Sequence, residues 1–339
     1  MKRVVFMGTP EFACPSLQAL IEADDIEVIA LVTQPDRAVG RKQIITPPAT
    51  KVLANKRKLP VLQAERISKD EAVIEQIIEL KPDFLITVAY GQILKQNILD
   101  IAPVINLHAS LLPEFRGPAP INWMLFHGDT EVGLATMLTD AGVDTGDILL
   151  TSKMEIDNKI KADELTKKLS DLGAPLLVKT ILEFEEIKAQ PQTSCKPDRQ
   201  LAPFMDKNLG QIDFAAEALV LKSASPRQSD FEFRQKNSAK AIHNLVRGSY
   251  PWPGAWFERN GEKIIVLETQ ANKLETNEEK TSVPSTISQI NRDNGSFSII
   301  CHEGELEILQ VKAQGKSAMR ALDWLNGQRL KPGEKLCSS

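Results

Sequence analysis

The sequence predicts an α/β domain with a mostly parallel sheet, followed by a smaller β-barrel domain. In the first half, short apolar runs alternate with amphipathic helical patterns, and the connections between them are short. Such alternation is typical of strand–helix–strand units, which build a parallel sheet covered by helices on both faces. In the second half, short strand patterns follow one another closely, which favours a small barrel. At 339 residues the chain also exceeds the usual size of a single hydrophobic core, so two domains are expected.

The chain begins with a predicted buried strand and a helix. Val4–Met7 is a continuous apolar run, and Gly8 ends it. Thr9 suits the N-cap of a helix and Pro10 its first position, because a proline there lacks only a donor that has no helical partner. Further strands are predicted at Ile26–Val32, Asp83–Val88, Pro103–Leu107, Gly133–Leu138 and Ile148–Ile156, and helices at 68–80, 118–127 and 162–188.

A polar stretch is predicted to separate the two domains. Residues 190–207 contain Pro191 and Pro197 and are predicted to be a linker between a first domain at 1–189 and a second at 208–330. Residues 223–238 are largely polar and are predicted to be an exposed insertion. A short helix is predicted at Ala239–Arg247, and strands near 254–259, 263–269, 284–290, 296–301 and 305–312.

The composition excludes several classes of protein. Hydrophobic residues make up 42% of the chain and charged residues 25%, which is ordinary for a globular protein and unlike a disordered or collagenous chain. No apolar run approaches the roughly 18 residues of a membrane helix, and the first apolar run is too short for a signal peptide. The four cysteines are far apart, which fits a reducing compartment. We therefore expect a cytoplasmic protein without membrane association.

Two polar side chains are predicted to project together where a strand ends. Val104 and Ile105 favour a strand, and Pro113 ends the element. Because side chains alternate along a strand, Asn106 and His108 point to the same side. The carboxyl ends of strands in an open α/β sheet are where ligand crevices lie, so these side chains are candidates for a site.

A loop rich in aspartate and glycine provides a third candidate. Residues 140–147 lie between two apolar strand patterns, and a carboxylate from this loop is expected to reach His108. Asn106 and a protonated His108 can donate to a developing oxyanion, while Asp144 can stabilise the imidazolium and help to remove a proton from an attacking amine. The three residues therefore suit acyl transfer to an amine. The alternative from spacing alone is a buried hydrogen-bonding histidine, an asparagine at a strand end and an aspartate in a turn.

The residues around these candidates resemble a known family. Residues 106–113, the pair Arg116-Gly117 and residues 143–148 are similar to the 10-formyltetrahydrofolate-dependent formyltransferases. Within that family, the members that act on methionyl-tRNA are similar over nearly the whole chain. This closer similarity includes residues 6–13, 34–37 and 251–254.

The resemblance implies a fold, an activity and a set of site residues. It implies a Rossmann-like formyltransferase domain followed by an OB-like domain. It also implies transfer of the formyl group of 10-formyltetrahydrofolate to the free amine of methionyl initiator tRNA, giving formylmethionyl-tRNA for translation initiation. Catalytic roles are implied for Asn106, His108 and Asp144. The folate-binding residues that it implies are Val88, Tyr90, Gly91, Ile93, Ser110, Leu111, Leu112, Pro113 and Asp140. For residues 88–93 a plain strand-to-helix turn is the alternative.

Neither a dinucleotide nor a metal is expected. The turn after the first strand lacks the G-x-G-x-x-G pattern, and Glu11 near the helix start disfavours a pyrophosphate there. The histidines outside the candidate site, His127, His243 and His302, have no partners at metal-ligand spacing and are interpreted as structural or surface residues.

Residues 34–58 form the most basic stretch of the first domain. Seven lysines and arginines stand there against a single acid, Asp36, in a chain of net charge −4. Such a stretch suits RNA phosphates, whereas the alternative is a solvated loop and helix face. In the family the matching loop contacts tRNA, but here Ile44 and Ile45 stand where lysines are usual. The predicted tRNA-binding residues are Arg37, Arg41, Lys42 and, at the domain junction, Lys207.

The second domain carries an aromatic cluster. Tyr250, Trp252, Trp256 and Phe257 lie close together in the sequence. Such side chains stack on nucleotides, but more often they fill a barrel core, and both interpretations stay open from the sequence.

Three functions compete on these residues. The first is formylation of methionyl-tRNA, and the second is formylation of a small amine, such as an amino sugar nucleotide or glycinamide ribonucleotide; related hydrolases use water instead. The third is a non-enzymatic folate- or RNA-binding module, which is disfavoured because Asn106, His108 and Asp144 are all present. The basic stretch and the second domain favour a macromolecular acceptor, and we expect a monomer.

Overall fold

The computed structural model describes residues 1–40, 42–222, 231–272 and 283–337. The chain divides into two compact units. Unit 1 comprises Met1–Pro118, Glu131–Glu155 and Thr166–Leu201. Unit 2 comprises Ala119–Thr130, Ile156–Leu165 and Ala202–Ser339. The chain therefore passes between the units several times. The domain limits 1–189 and 208–330, with their linker, stay predictions.

The elements follow in chain order. The strands are β1 (Lys2–Gly8), β2 (Ile26–Thr33), β3 (Arg37–Val39), β4 (Ile44–Thr46), β5 (Val61–Gln63), β6 (Phe84–Val88), β7 (Val104–His108), β8 (Glu131–Leu138), β9 (Ile148–Glu155), β10 (Ala218–Lys222), β11 (Glu232–Lys236), β12 (Ala255–Arg259), β13 (Glu262–Asn272), β14 (Ile287–Asn291), β15 (Ser296–Ile300), β16 (Glu305–Ala313) and β17 (Met319–Arg320). The α-helices are α1 (Cys14–Glu22), α2 (Ala49–Lys56), α3 (Glu71–Glu79), α4 (Gln96–Leu99), α5 (Pro120–His127), α6 (Ala162–Leu182), α7 (Ala239–Gly248) and α8 (Ala321–Gly327). Within the described part of the chain, no helix is both long enough and apolar enough to cross a bilayer.

The sheet of unit 1 has the strand order β5-β2-β1-β6-β7-β8-β9. Strands β5, β2, β1, β6 and β7 are parallel to one another, and β8 and β9 add antiparallel pairs. Strand β1 lies between β2 and β6, so the order in which strands are added to the sheet reverses at β1. The predicted fold class, a mostly parallel sheet followed by a smaller β domain, is confirmed.

The central strands are buried because their residues are apolar on both faces. In β1 the run Val4–Met7 is fully buried, and every residue of β6 is buried. Such continuous apolar runs are typical of strands that carry helices on both faces. Helix α3 begins after Asp70, whose side chain accepts a hydrogen bond from Val73 N, and its apolar face joins this core through Ile74 and Ile77.

The first turn after β1 differs from the prediction. Thr9 does not cap a helix, because its Oγ1 donates to the carbonyl oxygen of Tyr90 at 3.1 Å. The chain instead makes a 3-10 turn over Glu11–Ala13, and α1 begins only at Cys14. The helix-cap prediction was therefore wrong. Its partner lies 81 positions along the chain, beyond the reach of a local pattern.

The sheet of unit 2 is antiparallel. Its strand order is β12-β13-β16-β15-β14, and β17 pairs with β16. Phe257 in β12 is fully buried, and its ring meets Phe214 and Trp324 edge to face at centroid distances of 5.5 and 5.7 Å. Helix α7 begins after Ser238, whose side chain accepts a hydrogen bond from Ala241 N. The predicted helix at this place is thus present, with its cap.

Residues 231–238 are not the exposed insertion that the sequence predicted. Residues 232–236 form β11, which pairs with β10 in an antiparallel hairpin. Phe233 in β11 is only 5% exposed, and its ring lies edge-on to Trp123 at 5.8 Å. The polar neighbours obscured an alternating pattern, in which Phe231 and Phe233 flank a glutamate. The rest of the predicted insertion, 223–230, lies outside the described residues.

The segment that follows α6 runs along unit 1. Gln190 exchanges two backbone hydrogen bonds of 2.9 Å with Ile148. Further along, Phe115 N donates to the carbonyl oxygen of Arg199 at 2.7 Å. The Arg199 guanidinium donates to both carboxylate oxygens of Glu114 at 2.8 Å. This part of the polar stretch is therefore attached to unit 1 at several points.

Candidate active site

Strand β7 presents Asn106 and His108 to the same carboxylate, as the alternation of its side chains predicts. Asn106 Nδ2 donates to Asp144 Oδ1 at 3.4 Å, and His108 Nδ1 lies 3.7 Å from Asp144 Oδ2. His108 is buried, with 6% of its surface exposed, and Asn106 is half-buried. The structure therefore brings the three predicted catalytic residues together in one cluster, the Asn106–His108–Asp144 cluster.

Asp144 lies in the loop between β8 and β9, and its carboxylate is held by a backbone donor. Gly117 N donates to Asp144 Oδ2 at 2.8 Å. Asp144 has φ +52°, a left-handed conformation that aspartate and asparagine adopt more readily than most residues with a Cβ. Gly146 allows the loop to pass close to β8, since a Cβ there would lie 1.8 Å from the carbonyl oxygen of Leu138. The loop path is thus set by a glycine and by a tolerant aspartate.

The second ring nitrogen of His108 is bound to the backbone. Nε2 lies 2.9 Å from the carbonyl oxygen of Phe115. A carbonyl oxygen only accepts, so Nε2 carries a hydrogen in this arrangement. The 3.7 Å between Nδ1 and Asp144 exceeds a direct hydrogen bond, so Nδ1 is not committed to the carboxylate. Nδ1 is therefore the nitrogen that can turn its hydrogen-bonding capacity to a substrate.

Thr87 orients the amide of Asn106. Thr87 Oγ1 donates to Asn106 Oδ1 at 3.1 Å, which leaves the amide nitrogen pointing towards Asp144. The two residues are register partners in β6 and β7. Sequence reasoning missed both Thr87 and the role of Gly117. The available signal for Thr87 was that it is the single polar residue in the apolar run Phe84–Val88.

The cluster suits acyl transfer to an amine. Asn106 Nδ2 and, when the imidazole is protonated on both nitrogens, His108 Nδ1 offer two donors for the oxygen of a tetrahedral intermediate, and Asp144 offers an acceptor for a proton. Among the described residues, no serine or cysteine is hydrogen-bonded to His108; its ring nitrogens face Phe115 and Asp144. The arrangement therefore fits direct attack by a substrate amine.

An apolar floor adjoins the polar cluster. Leu112, with 6% exposure, packs with Ala135, Met137 and Ile148. Met137 lies directly opposite Asn106 in the antiparallel pair of β7 and β8. Directly opposed residues share one face of a sheet, so the apolar floor and the amide are neighbours.

The other residues of the predicted folate-binding run 110–113 have mixed surroundings. Ser110 is fully buried, and its Oγ donates to the carbonyl oxygen of Glu114 at 2.6 Å. Leu111 and Pro113 are half-buried. The hydroxyl of Ser110 thus shapes the turn, and folate binding by this run stays a prediction.

The predicted folate-binding segment 88–93 turns sharply after β6. Val88 is fully buried, and the Tyr90 side chain lies in the core, where burial raises the pKa of its phenol. Ala89 and Gly91 have φ of +46° and +81°. Ile93 is 60% exposed. The exposed residues of this segment are Ala89, Gly91 and Ile93, and its folate-binding role stays a prediction.

Asp140 closes the loop that carries Asp144. Its Oδ1 accepts hydrogen bonds from Thr145 Oγ1 at 2.7 Å and from Gly142 N at 3.0 Å. These contacts give Asp140 a local structural role, and its predicted contact with folate remains untested.

The basic stretch begins with a two-stranded hairpin of β3 and β4. Arg37 and Lys42 are exposed there, while Arg41 lies outside the described residues. Ile44 and Ile45 are 61% and 65% exposed. The hairpin therefore combines exposed cations with exposed apolar side chains. Some of the charge of the basic stretch is paired within unit 1: Arg37 with Glu65, Arg57 with Glu22 and Lys51 with Asp36.

A polar network anchors the base of this hairpin. Lys51 Nζ donates to both carboxylate oxygens of Asp36 at 2.8 and 2.9 Å and to Gln63 Oε1 at 2.8 Å. The hydrogen bond from Lys51 is the largest cause that lowers the pKa of the Asp36 carboxyl, and the hydrogen bond from Gln63 lowers it further. Gln34 Nε2 donates to the carbonyl oxygen of Tyr90 at 3.0 Å. The segment entering the hairpin is thereby tied to the turn after β6.

Lys207, the fourth predicted tRNA-binding residue, is exposed in a turn of unit 2. Burial lowers the pKa of the neighbouring Lys263, and the positive charge of Lys207 lowers it further. Lys263 Nζ lies 4.1 Å from the centroid of the Trp256 ring. Two cations and an aromatic ring therefore share this part of unit 2.

The aromatic cluster of the second domain is divided between core and surface. Phe257 is fully buried, whereas Trp252 is 57% exposed. Tyr250 is half-buried, with Lys161 Nζ 4.5 Å from its ring centroid. The core interpretation holds for Phe257, and Trp252 remains available to a partner.

The histidines outside the cluster have structural surroundings. His243 Nε2 and Nδ1 lie 2.6 Å from the carbonyl oxygen of Asn158 and 2.9 Å from Thr269 Oγ1. Burial lowers the pKa of His243. His302 is half-buried, with its Nε2 3.1 Å from the carbonyl oxygen of Ala215. Over the described ranges, no group of three or more His, Cys, Asp and Glu residues is arranged to hold a metal ion.

Two family models match the chain. The model described as "Formyl transferase" matches residues 1–181, and the model described as "Formyl transferase, C-terminal domain" matches residues 226–329. A relative from Geobacter metallireducens named "Methionyl-tRNA formyltransferase" is 39% identical over 342 residues, which cover 98% of each chain.

Solved structures share the fold at low sequence identity. WlaRD, a sugar 3N-formyl transferase, is 17% identical with a TM-score of 0.61, over 94% of this chain and 99% of that chain. HypX from Aquifex aeolicus, in complex with tetrahydrofolic acid, is 14% identical with a TM-score of 0.55. That match covers 99% of this chain and 49% of HypX, so the chain spans about half the length of that protein.

Proposed function

The chain belongs to the formyl transferase family, and from this premise we propose that it transfers the formyl group of 10-formyltetrahydrofolate to the free amine of methionyl initiator tRNA. The product is formylmethionyl-tRNA for translation initiation. The acceptor is supported by a relative named for this activity that is 39% identical over 98% of both chains. The observation that carries the reaction type is the Asn106–His108–Asp144 cluster, in which the Asn106 amide and the His108 imidazole both face the Asp144 carboxylate.

In the proposed mechanism the acceptor amine attacks the formyl carbon directly. A carbon–nitrogen bond forms, and negative charge develops on the formyl oxygen. Asn106 Nδ2 and the Nδ1–H of a protonated His108 donate to this oxygen, and Asp144 accepts the proton that the amine loses. The bond between the formyl carbon and the folate nitrogen then breaks, and that nitrogen leaves as tetrahydrofolate with the proton that Asp144 took from the amine.

We propose that the folate lies over the apolar floor beside this cluster. Support comes from Leu112 and Met137, which pack together next to Asn106, and from the exposed side chain of Ile93. The mainly apolar lining suits a flat pterin and aryl group, with backbone groups of the turn to fix its orientation. The full proposed set is Val88, Tyr90, Gly91, Ile93, Ser110, Leu111, Leu112, Pro113 and Asp140.

We propose that the β3–β4 hairpin and Lys207 bind the tRNA. Support comes from the exposure of Arg37, Lys42 and Lys207, and Arg41 joins them on its sequence position. Lysines and arginines that contact phosphates supply affinity without reading the base sequence. The chain is also proposed to act as a monomer in the cytoplasm, and its four unpaired cysteines fit a reducing compartment.

One assay tests the proposed function. The purified protein is incubated with 10-formyltetrahydrofolate and methionyl initiator tRNA, and the aminoacyl group released from the RNA is analysed for formylmethionine. We expect formylation of the tRNA and none of an amino sugar nucleotide or of glycinamide ribonucleotide. Formylation of a small amine in place of the tRNA would overturn the proposed acceptor. Sedimentation of the same preparation measures the mass of the protein in solution and so tests whether it is a monomer.

A further inference from the structure

Behind Asp144, a side chain from the segment after α6 holds the loop that carries the carboxylate. Gln192 Nε2 donates to the carbonyl oxygen of Asp144 at 3.0 Å and to that of Gly146 at 2.7 Å. Gln192 lies 48 positions beyond Asp144, in the polar stretch that the sequence predicts to be a linker. Both contacts are with the backbone of the loop, on either side of Thr145.

Arg116 fixes the orientation of the Gln192 amide. Arg116 Nε and Nη2 donate to Gln192 Oε1 at 2.9 and 2.7 Å. Because the guanidinium occupies the amide oxygen, the amide nitrogen faces the loop, and it has one hydrogen for each of the two carbonyl oxygens. Gly117, the next residue, donates its N–H to Asp144 Oδ2 at 2.8 Å. The pair Arg116-Gly117 thus acts on the carboxylate directly and on the backbone of Asp144 through Gln192.

The conformation of Asp144 makes this support necessary. Its φ of +52° is sparsely populated for residues with a Cβ, and such conformations persist where the surroundings hold them. The Asp144 carboxylate also has to remain near Asn106 and His108, which lie 3.4 and 3.7 Å from its oxygens. A loop that relaxed would move the carboxylate away from both.

We propose that Gln192 is a positioning residue for the reaction, which it serves by holding the Asp144 loop against the Asn106–His108–Asp144 cluster. This inference rests on the proposed function. Gln192 acts on the main chain of Asp144 and Gly146, so its effect on the reaction passes through Asp144.

The variant Gln192→Glu isolates the two donated hydrogen bonds. Glutamate keeps the size of the side chain and an oxygen for Arg116, but it places an oxygen where the amide nitrogen faced two carbonyl oxygens. We expect kcat for formylation of methionyl-tRNA to fall about 10- to 100-fold, the scale of a displaced catalytic group. KM for the folate and for the tRNA is expected to stay within about twofold, since the loop backbone is not a proposed binding surface. Gln190→Glu is the matched control: the same change at an exposed position two residues earlier should leave kcat unaltered.

A double variant distinguishes positioning from general damage. If Gln192 works through Asp144, adding Gln192→Glu to Asp144→Asn lowers the residual kcat by less than about twofold. Effects that multiply in full would overturn the inference. The Gln192→Glu variant should bind as much 5-formyltetrahydrofolate per chain as the wild type does. A reduced stoichiometry would assign the loss of kcat to unfolded protein and would also overturn the inference.

The outcome for the wild type separates this inference from the proposed function. A wild-type protein that does not formylate methionyl-tRNA overturns the proposed function, and the inference with it. An active wild type together with a fully active Gln192→Glu variant overturns the inference alone.

Discussion

The imidazole of His108 and the carboxylate of Asp144 face each other at 3.7 Å, and each is anchored by a different backbone group. His108 Nε2 is held by the carbonyl oxygen of Phe115 at 2.9 Å, and Asp144 Oδ2 by the N–H of Gly117 at 2.8 Å. These backbone contacts therefore set the distance between the two side chains, which does not depend on the attraction between the imidazole and the carboxylate. Removing one of the two side chains should leave the other in place, so single substitutions report on each role separately.

The first prediction concerns the proposed catalytic residues. His108→Ala or Asn106→Ala should lower kcat about 100-fold or more, the scale for loss of an oxyanion donor. Asp144→Asn should be at least as damaging, because it keeps the shape and removes the charge. Turnover is measured by formylation of methionyl-tRNA, with folding checked by circular dichroism. His302→Ala, at a half-buried histidine of unit 2 outside the cluster, is the control. Turnover close to wild type in any of the three variants would remove that residue from the mechanism.

The second prediction concerns the donor. A folate analogue should protect the protein from heat at micromolar concentration, raising Tm by several degrees at about 100 times its Kd. Nicotinamide dinucleotides should leave Tm unchanged, because the turn after β1 lacks the glycine pattern for a pyrophosphate. Thermal-shift titrations of both ligands measure this. Protection by the dinucleotide and none by the folate would mean that the site has been assigned to the wrong ligand.

The third prediction concerns the hairpin of β3 and β4. Arg41→Ala should weaken binding of methionyl-tRNA and reduce its salt dependence by about one unit of slope, the value for one lost phosphate contact. A combined Arg37, Arg41 and Lys42 alanine variant should flatten the dependence further, while folate affinity stays constant. The measurement is Kd at several salt concentrations. Lys153→Ala, which removes an exposed cation outside the basic stretch, is the control. Slopes that match the wild type in both hairpin variants would exclude the hairpin from the RNA site.

The fourth prediction concerns the path of the Asp144 loop. Gly146→Ala should lower kcat by about 10-fold or more, because the added Cβ would lie 1.8 Å from the carbonyl oxygen of Leu138 and the loop has to move. Gly327→Ala is the matched control, since a Cβ there has no neighbour within 4 Å among the described residues. Steady-state kinetics of the two variants measures the difference. Equal kcat in both would show that the loop can shift without loss of chemistry.

The fifth prediction concerns pH and the base of the hairpin. Lys51→Met should lower Tm at pH 7, because Asp36 loses the partner that holds its pKa below the ordinary value of 3.8. A carboxyl whose pKa is lowered by folding adds stability above its ordinary pKa, and this contribution disappears as the pH falls through the lowered value. The gap in Tm between wild type and variant should therefore narrow below pH 3.8. Lys56→Met, at an exposed lysine of the same helix, is the control. A gap that does not change between pH 7 and pH 3 would show that the pairing with Asp36 contributes nothing.

The predictable parts of the site depend on short-range patterns. Asn106 and His108 are two positions apart in a strand, so alternation alone places them on one side. The loop carrying Asp144 was recognisable because its glycines and acids interrupt two apolar strands. The strand–helix alternation of unit 1 was readable for the same reason, since burial on both faces demands continuous apolar runs.

The parts that sequence reasoning missed depend on contacts between distant segments. Thr9 was predicted to cap a helix, but its hydroxyl finds an acceptor 81 positions away. Thr87 hydrogen-bonds to Asn106, which lies 19 positions away, and Gln192 hydrogen-bonds to Asp144, which lies 48 positions away. Gln192 also lies among prolines and polar residues, a composition that indicates a linker wherever the tertiary contacts are unknown.

The left-handed backbone of Asp144 also governs how this position can change over evolutionary time. At φ +52° aspartate and asparagine are tolerated more readily than β-branched or bulky residues. Their codons differ by one nucleotide, so an accessible mutation that spares the backbone also removes the charge. A lineage released from selection for this chemistry would first acquire a protein that folds but does not catalyse the reaction. In a survey of genes, asparagine at this position would mark lost chemistry in an intact fold.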